Sequence, residues 1–229
     1  WKNSAFKDTH NYITTARDIS GPWSEPVYVN SSGFDPSLFH DDDGKKYFVN
    51  MEHDYRKTGA ESFSGILVTE LDPVTLKPIS EAVKVFRGSA LGLVEGPHIY
   101  KKDGWYYLFA AEGGTEYSHA ETVARSRNIY GPYEMHPNTH LLTTKNAPDS
   151  YLQKTGHASI CQGPDGRWWV AFLCGRPVDE SKRCVLGRET GVNEIVWNND
   201  WPYLKNGTVV ADAEFEGSGE QKKKTSVDY

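Results

Sequence analysis

Two carboxylates stand where chemistry would want them. Asp35 precedes Pro36, Glu95 precedes Gly96-Pro97, and each opens a short run that leads to an Asp-Gly turn and then an aromatic strand. Paired carboxyl groups facing one cleft suit glycoside hydrolysis: one is protonated, so that the leaving oxygen does not depart as an anion, and the other is ionised to activate water. The competing reading is a solvated strand-end acid or turn cap, a common use of acids beside Pro and Gly, because carboxylates in clefts mark sites only statistically. His157 holds the matching place in a third copy of the layout. It could hold a substrate hydroxyl or a metal, or be a packed core histidine, and calcium would want mostly oxygen ligands. Arg176 and Arg188 each follow a glycine. Either could make planar paired hydrogen bonds to hydroxyl groups or lower a neighbouring carboxyl's pKa, the alternative being a surface ion pair, with Glu189 in the case of Arg188.

The elements that must position these residues are repeated. Residues 33–48, 95–109 and 156–170 share one plan, and their turn glycines Gly44, Gly104 and Gly166 lie 60 and 62 residues apart. A near-constant period of this length predicts a propeller or stacked array, since one unit cannot bury its own apolar face. Asp-Gly between apolar and aromatic runs predicts type I′ hairpins with positive φ at both central positions. In a propeller the first strand of each blade lines the axis, which would bring Asp35, Glu95 and His157 to one end of a central channel. Residues 1–32 read as the closing half of a repeat: a β-rich run over 12–17, a Gly-Pro turn, then Val27-Tyr28-Val29. The first full repeat spans about 33–91 with outer strands over 65–71 and 82–86, joined by a loop whose prolines exclude a central strand, and residues 54–64 read as a loop over the channel mouth. The second spans about 92–151, and the third opens at Gly156.

Composition narrows the partners. Of the 229 residues 38% are hydrophobic and 24% charged, and the seven Trp, thirteen Tyr and nine Phe suit both strand packing and carbohydrate stacking. A net charge of −6 with no basic run before the tail gives no attraction for phosphate backbones. No apolar run approaches the ~20 residues a membrane helix needs, so neither nucleic acid nor membrane is an expected partner. Cys161, Cys174 and Cys184 lack metal-type spacing and read as buried free thiols, which leans toward a reducing, cytoplasmic compartment. The expected division is a partial propeller over 1–210 and, where composition turns to Glu, Gly, Ser and Lys, a linker or tail over 211–229.

Five segments then carry a resemblance: Ser31–Phe39, Glu95–Tyr100, Ala111–Thr115, Gly156–Ser159 and Leu186–Thr190. Together they resemble glycoside hydrolase family 43, in particular its β-xylosidases, over residues 8–205. The resemblance implies an all-β, five-bladed β-propeller, here lacking its first blade and part of the second, and an inverting hydrolysis at the axis. It implies Glu95 as general acid, Asp35 as the carboxylate that tunes and orients it, and Arg188, Phe34, His157 and Glu112 among the substrate contacts, with His157 holding calcium in some members.

The activity implied is an exo-acting β-1,4-xylosidase releasing xylose from xylo-oligosaccharides or arabinoxylan-derived substrate. An α-L-arabinofuranosidase of the same family, or a bifunctional enzyme, is the nearest alternative, and a non-catalytic sugar-binding propeller is the alternative of another class. No cofactor is required and a homo-oligomer is compatible. One departure stands out: the family's general base is an Asp in a His-Pro-Asp-Pro-Ser-like motif, which residues 1–229 lack, Asp8 and Asp18 standing in other contexts. The expectation is that an N-terminal segment of the same protein supplies this base, that the chain alone is inactive, and that a β-sandwich domain follows the tail.

Overall fold

A computed structural model describes residues 9–178 and 180–214. The chain forms a two-stranded sheet of β1 (Asn11–Ile13) and β2 (Val27–Asn30), then three antiparallel sheets of four strands in sequence order. The first is β3 (Ser37–His40), β4 (Lys46–His53), β5 (Phe63–Leu71) and β6 (Val83–Phe86), with a 3₁₀ turn at Gly59–Ser62. The second is β7 (Glu95–Lys102), β8 (Trp105–Glu112), β9 (Ala120–Ser126) and β10 (Glu134–Thr143). The third is β11 (Gln153–Gln162), β12 (Trp168–Gly175), β13 (Glu189–Asn198) and β14 (Trp201–Leu204). These are three whole blades of a β-propeller and two strands of another, as the repeat required.

The blades stack face to face because strand side chains alternate. On β8, Leu108 and Ala110 join Phe39, Val49, Met51 and Ile66 of the preceding blade. Tyr107 and Phe109 point the other way, to Ile160, Val170 and Phe172 of the next. Ile13 and Val29 close the first interface on Phe48 and Leu71. The folded unit continues through Ala211, which is buried, and Asp212, whose N–H donates to Asn193 Oδ1 at 2.8 Å. Residues 215–229 of the expected tail, and Asp8, lie outside the described residues.

Three expectations change. Only Asp103-Gly104 has positive φ at both turn positions, 51° and 74°. At the other two hairpins only Gly44 and Gly166 are left-handed, and the Asp41 N–H to Lys45 O and Gly163 N–H to Arg167 O bonds close longer loops of the bulged kind, in which a single αL glycine suffices. The run over 12–17 stays a strand only to Ile13, beyond which the backbone of Thr15 bonds to the Ser24 side chain. The three cysteines are free, but Cys161 is exposed, on the outward side of β11.

The innermost strands are tied blade to blade. Ser37 Oγ donates to Pro97 O at 2.6 Å, and the Ile160 N–H donates to Tyr100 Oη at 3.0 Å. Asp41 accepts from Lys101 Nζ, Tyr106 Oη and its neighbour's backbone N–H. Burial alone would raise its pKa, yet these donors outweigh that and hold the carboxyl below its usual range. Asp41→Ala strips a partner from a half-buried lysine and tyrosine, so we expect a loss of ~2 kcal/mol in denaturant unfolding. Because the folded-state pKa is depressed, this contribution is present above the unfolded value near 3.9 and fades as pH falls through the folded one. The gap between wild type and variant should therefore narrow in acid.

Candidate active site

The inner strands of all three blades carry the same backbone reversal, just before β3, at the second residue of β7 and midway along β11. Asp35, Gly96 and His157 lie 61 residues apart in turn and have left-handed φ of 51°, 57° and 51°. Register slips accompany it between Glu95 and His98 on β7 and between Gly156 and Ser159 on β11, the signature of a β-bulge. The equivalent positions are thus Asp35, Gly96 and His157, with Glu95 one residue ahead. Glycine is required in the second blade for a steric reason as well: a Cβ on Gly96 would stand 2.6 Å from His157 Nε2. The His157 ring therefore lies against the backbone that carries Glu95.

Four of the expected residues come together here. Glu95 is half-buried, and its carboxyl is pushed up to about 7, first by burial, then by the Asp35 carboxylate, with the Arg188 guanidinium pulling the other way. A carboxylic acid of that pKa keeps its proton near neutrality and can still release it, as a general acid must. Arg188 is exposed on the wall of a cleft of about 500 Å³ shared with Thr115, His119, Lys154 and Arg183. Its expected alternative as the partner of Glu189 does not hold, because Arg176 takes that carboxylate with Nε at 3.0 and 3.1 Å and Nη2 at 2.5 Å. Arg176 is thereby a structural residue, also donating to Tyr151 Oη at 3.1 Å.

Phe34, next to Asp35, is half-buried and packs edge-on to Phe63 with ring centroids 5.9 Å apart. Glu112 departs from expectation. It is fully buried, accepts the Ser89 N–H at 2.6 Å and the Thr122 hydroxyl, and leaves no surface for a sugar. The resemblance implied a substrate contact, but the strand alternation turns it into the blade, where it anchors the chain leading to β7.

Residue types alone did not single out two histidines that join the group. Burial first, then His157, depresses the pKa of His98, with Asp35 opposing, and Ser159 Oγ lies 3.4 Å from its Nε2. His119 is pushed down to about 4 by burial, with His157 and Arg188 also lowering it. Its Nδ1 donates to Lys154 O at 2.9 Å. The available signal was His98's place three residues after Glu95 in the Glu-Gly-Pro-His run; His119 offered none. His98 and His119 are the two imidazoles on which His157 acts. Among the described residues no three His, Cys, Asp or Glu side chains gather as a metal-type set.

A model of glycosyl hydrolases family 43 matches residues 1–202. The chain belongs to this family. It is 56% identical over 209 residues to xylosidase/arabinosidase 43B of Humicola insolens, covering 91% of this chain and 39% of the relative. It is 47% identical over 222 residues to a β-xylosidase of Bacillus subtilis (strain 168), covering 92% and 42%. The crystal structure of a xylan β-1,4-xylosidase from Bacillus halodurans C-125 superposes with a TM-score of 0.85 at 47% identity, over 97% of this chain and 43% of that one. The family 43 chain described here thus spans about two fifths of the length of these relatives.

Proposed function

We propose that the protein carrying this chain is an exo-acting β-1,4-xylosidase that releases xylose from xylo-oligosaccharides with inversion. The observation that carries the reading is Glu95 at the start of β7, its carboxyl pushed up to about 7 by burial and by the Asp35 carboxylate, with Arg188 opposing. In the mechanism Glu95 protonates the departing glycosidic oxygen. Asp35 keeps that proton in place until it is needed, and Arg188 binds sugar hydroxyls at the cleft wall. The base that activates water comes from a segment of the protein outside residues 1–229, so this chain taken alone is inactive. In the whole protein the base carboxyl and Glu95 stand about 6.5–9.5 Å apart, leaving room for water. The folded unit through Asp212 is then part of the catalytic propeller, and the residues after it lead toward a further domain.

The test compares hydrolysis of 4-nitrophenyl β-D-xylopyranoside and 4-nitrophenyl α-L-arabinofuranoside by the full-length protein, with NMR detection of the first xylose anomer released from the aryl xyloside. Faster xyloside cleavage and α-xylose as first product are expected. An arabinoside preference would favour the second reading, an arabinofuranosidase, which the double name of the Humicola relative supports. First release of β-xylose would exclude inversion, and sugar binding without any turnover would leave a lectin-like propeller.

Asp35→Asn gives a sharper check. Removing the charge that helps raise Glu95 lowers the pKa of the acid, so the alkaline limb of kcat/KM, expected near pH 7 in the wild type, should move to lower pH. A limb that stays in place would remove Asp35 from that role.

A further inference from the structure

Glu121 is a second carboxyl group beside the site, and it touches no solvent. It lies on β9 opposite Ala111, and its Oε2 accepts the Ala158 N–H at 2.7 Å. The backbone N–H of His157 faces the same carboxyl and also lowers its pKa. Its other oxygen, Oε1, has no hydrogen-bond partner among the described residues. Burial pushes this carboxyl well above the usual range, which the Ala158 N–H offsets only in part, while Glu112 adds to the rise.

These bonds fall on an unusual stretch. His157 is a non-glycine residue with φ of 51°, a conformation costing about 1 kcal/mol that persists only where the surroundings enforce it. The Glu121 carboxyl thus lies against the amides on both sides of that reversal and is bonded to the second of them. The reversal in turn lays the imidazole against Gly96, which adjoins Glu95.

We propose that Glu121 is a positioning residue, whose carboxyl oxygen clamps the Ala158 amide, next to the reversal, so that the His157 ring braces the backbone carrying Glu95. It contacts no substrate and transfers no proton. The proposal rests on the reading of Glu95 as the acid, and it makes the acceptor oxygen, rather than a charge, the feature that matters.

Two variants separate these features in the full-length protein: Glu121→Gln keeps an acceptor oxygen, and Glu121→Met keeps the volume but removes the acceptor. Glu121→Met should lower kcat by about 10²-fold with KM changed less than about threefold, since a displacement near 1 Å costs that much, whereas Glu121→Gln should stay within about threefold of wild type. In a His157→Ala background Glu121→Met should add no further loss, because the two act through one contact. Independently of activity, NMR should show the Ala158 amide protected from exchange and the His157 ring resonances in place in wild type and Glu121→Gln, both lost in Glu121→Met. If Glu121→Met does not fold, Glu121→Asp, which withdraws the oxygen by one methylene, is expected to show the same split. Unchanged kcat, a loss confined to KM, additive losses with His157→Ala, or equal damage from Gln and Met would each overturn the proposal. A wild-type protein without glycosidase activity would instead sink the reading of Glu95, while the NMR comparison would still judge the clamp.

Discussion

Glu95→Gln in the full-length protein is expected to lower kcat/KM on xylobiose by about 10²–10⁴-fold, the usual contribution of a positioned acid. The amide matches the carboxyl in shape but has no proton to give. The loss should depend on the leaving group. A 4-nitrophenolate departs without protonation, so the aryl xyloside should be cleaved nearly as well as by wild type, and xylobiose hardly at all. The alkaline limb of the wild-type profile, where the acid titrates near pH 7, should vanish in the variant. Equal losses on both substrates would indicate general damage to the pocket, and an unchanged xylobiose rate would remove Glu95 as the acid.

Gly96→Ala is expected to be nearly as harmful without touching any reacting group. An alanine at φ of 57° costs about 1 kcal/mol, and its methyl would lie 2.6 Å from His157 Nε2, 2.9 Å from Cδ2 and 3.0 Å from Cε1. The ring is held by its own backbone reversal, so relief must come from moving the strand start. We expect a loss of about 2–3 kcal/mol, with overpacking as the larger part, seen as a fall in Tm of about 4–12 °C for a domain of this size. The turnover that remains should be down by about 10²-fold. The double variant Gly96→Ala/His157→Ala should recover much of the stability and none of the activity. Recovery of both would mean that the ring does not support Glu95.

Much of this was legible in the sequence. Hairpin glycines recur at an almost fixed interval, and alternation on strands such as Trp105–Glu112 sets which faces meet, so blades and interfaces could be read directly. Asp35, Glu95, His157 and Arg188 stood out because each sits beside a Gly or Pro at the edge of an apolar run. The alignment of the repeats was read one residue off, because only Gly96 of the three reversed positions is a glycine. At Asp35 and His157 the left-handed backbone is imposed by tertiary contacts that leave no local mark. Glu112 and Glu121 show the same limit. Both are acids in β-rich runs, and only the assembled blades decide that one anchors a loop and the other underlies His157. Arg176 and Arg188 look alike in sequence, and the three-dimensional pairing of Glu189 with Arg176 tells them apart.

The reversal at the head of each inner strand also fixes where the chain tolerates a change in length. Strand side chains alternate sides, so one added or removed residue exchanges inside for outside for everything on one side of the change. The extra residue at Gly96 acts as a half-period phase step between Glu95 and the rest of β7. Deleting it would carry the carboxyl from the channel into the packed interface between blades, a fault that no side-chain repacking corrects. A single-residue deletion scan should therefore find positions 35, 96 and 157 among the least forgiving in the chain, and the mostly exposed connection over 73–78 among the most, although both interrupt regular strand geometry.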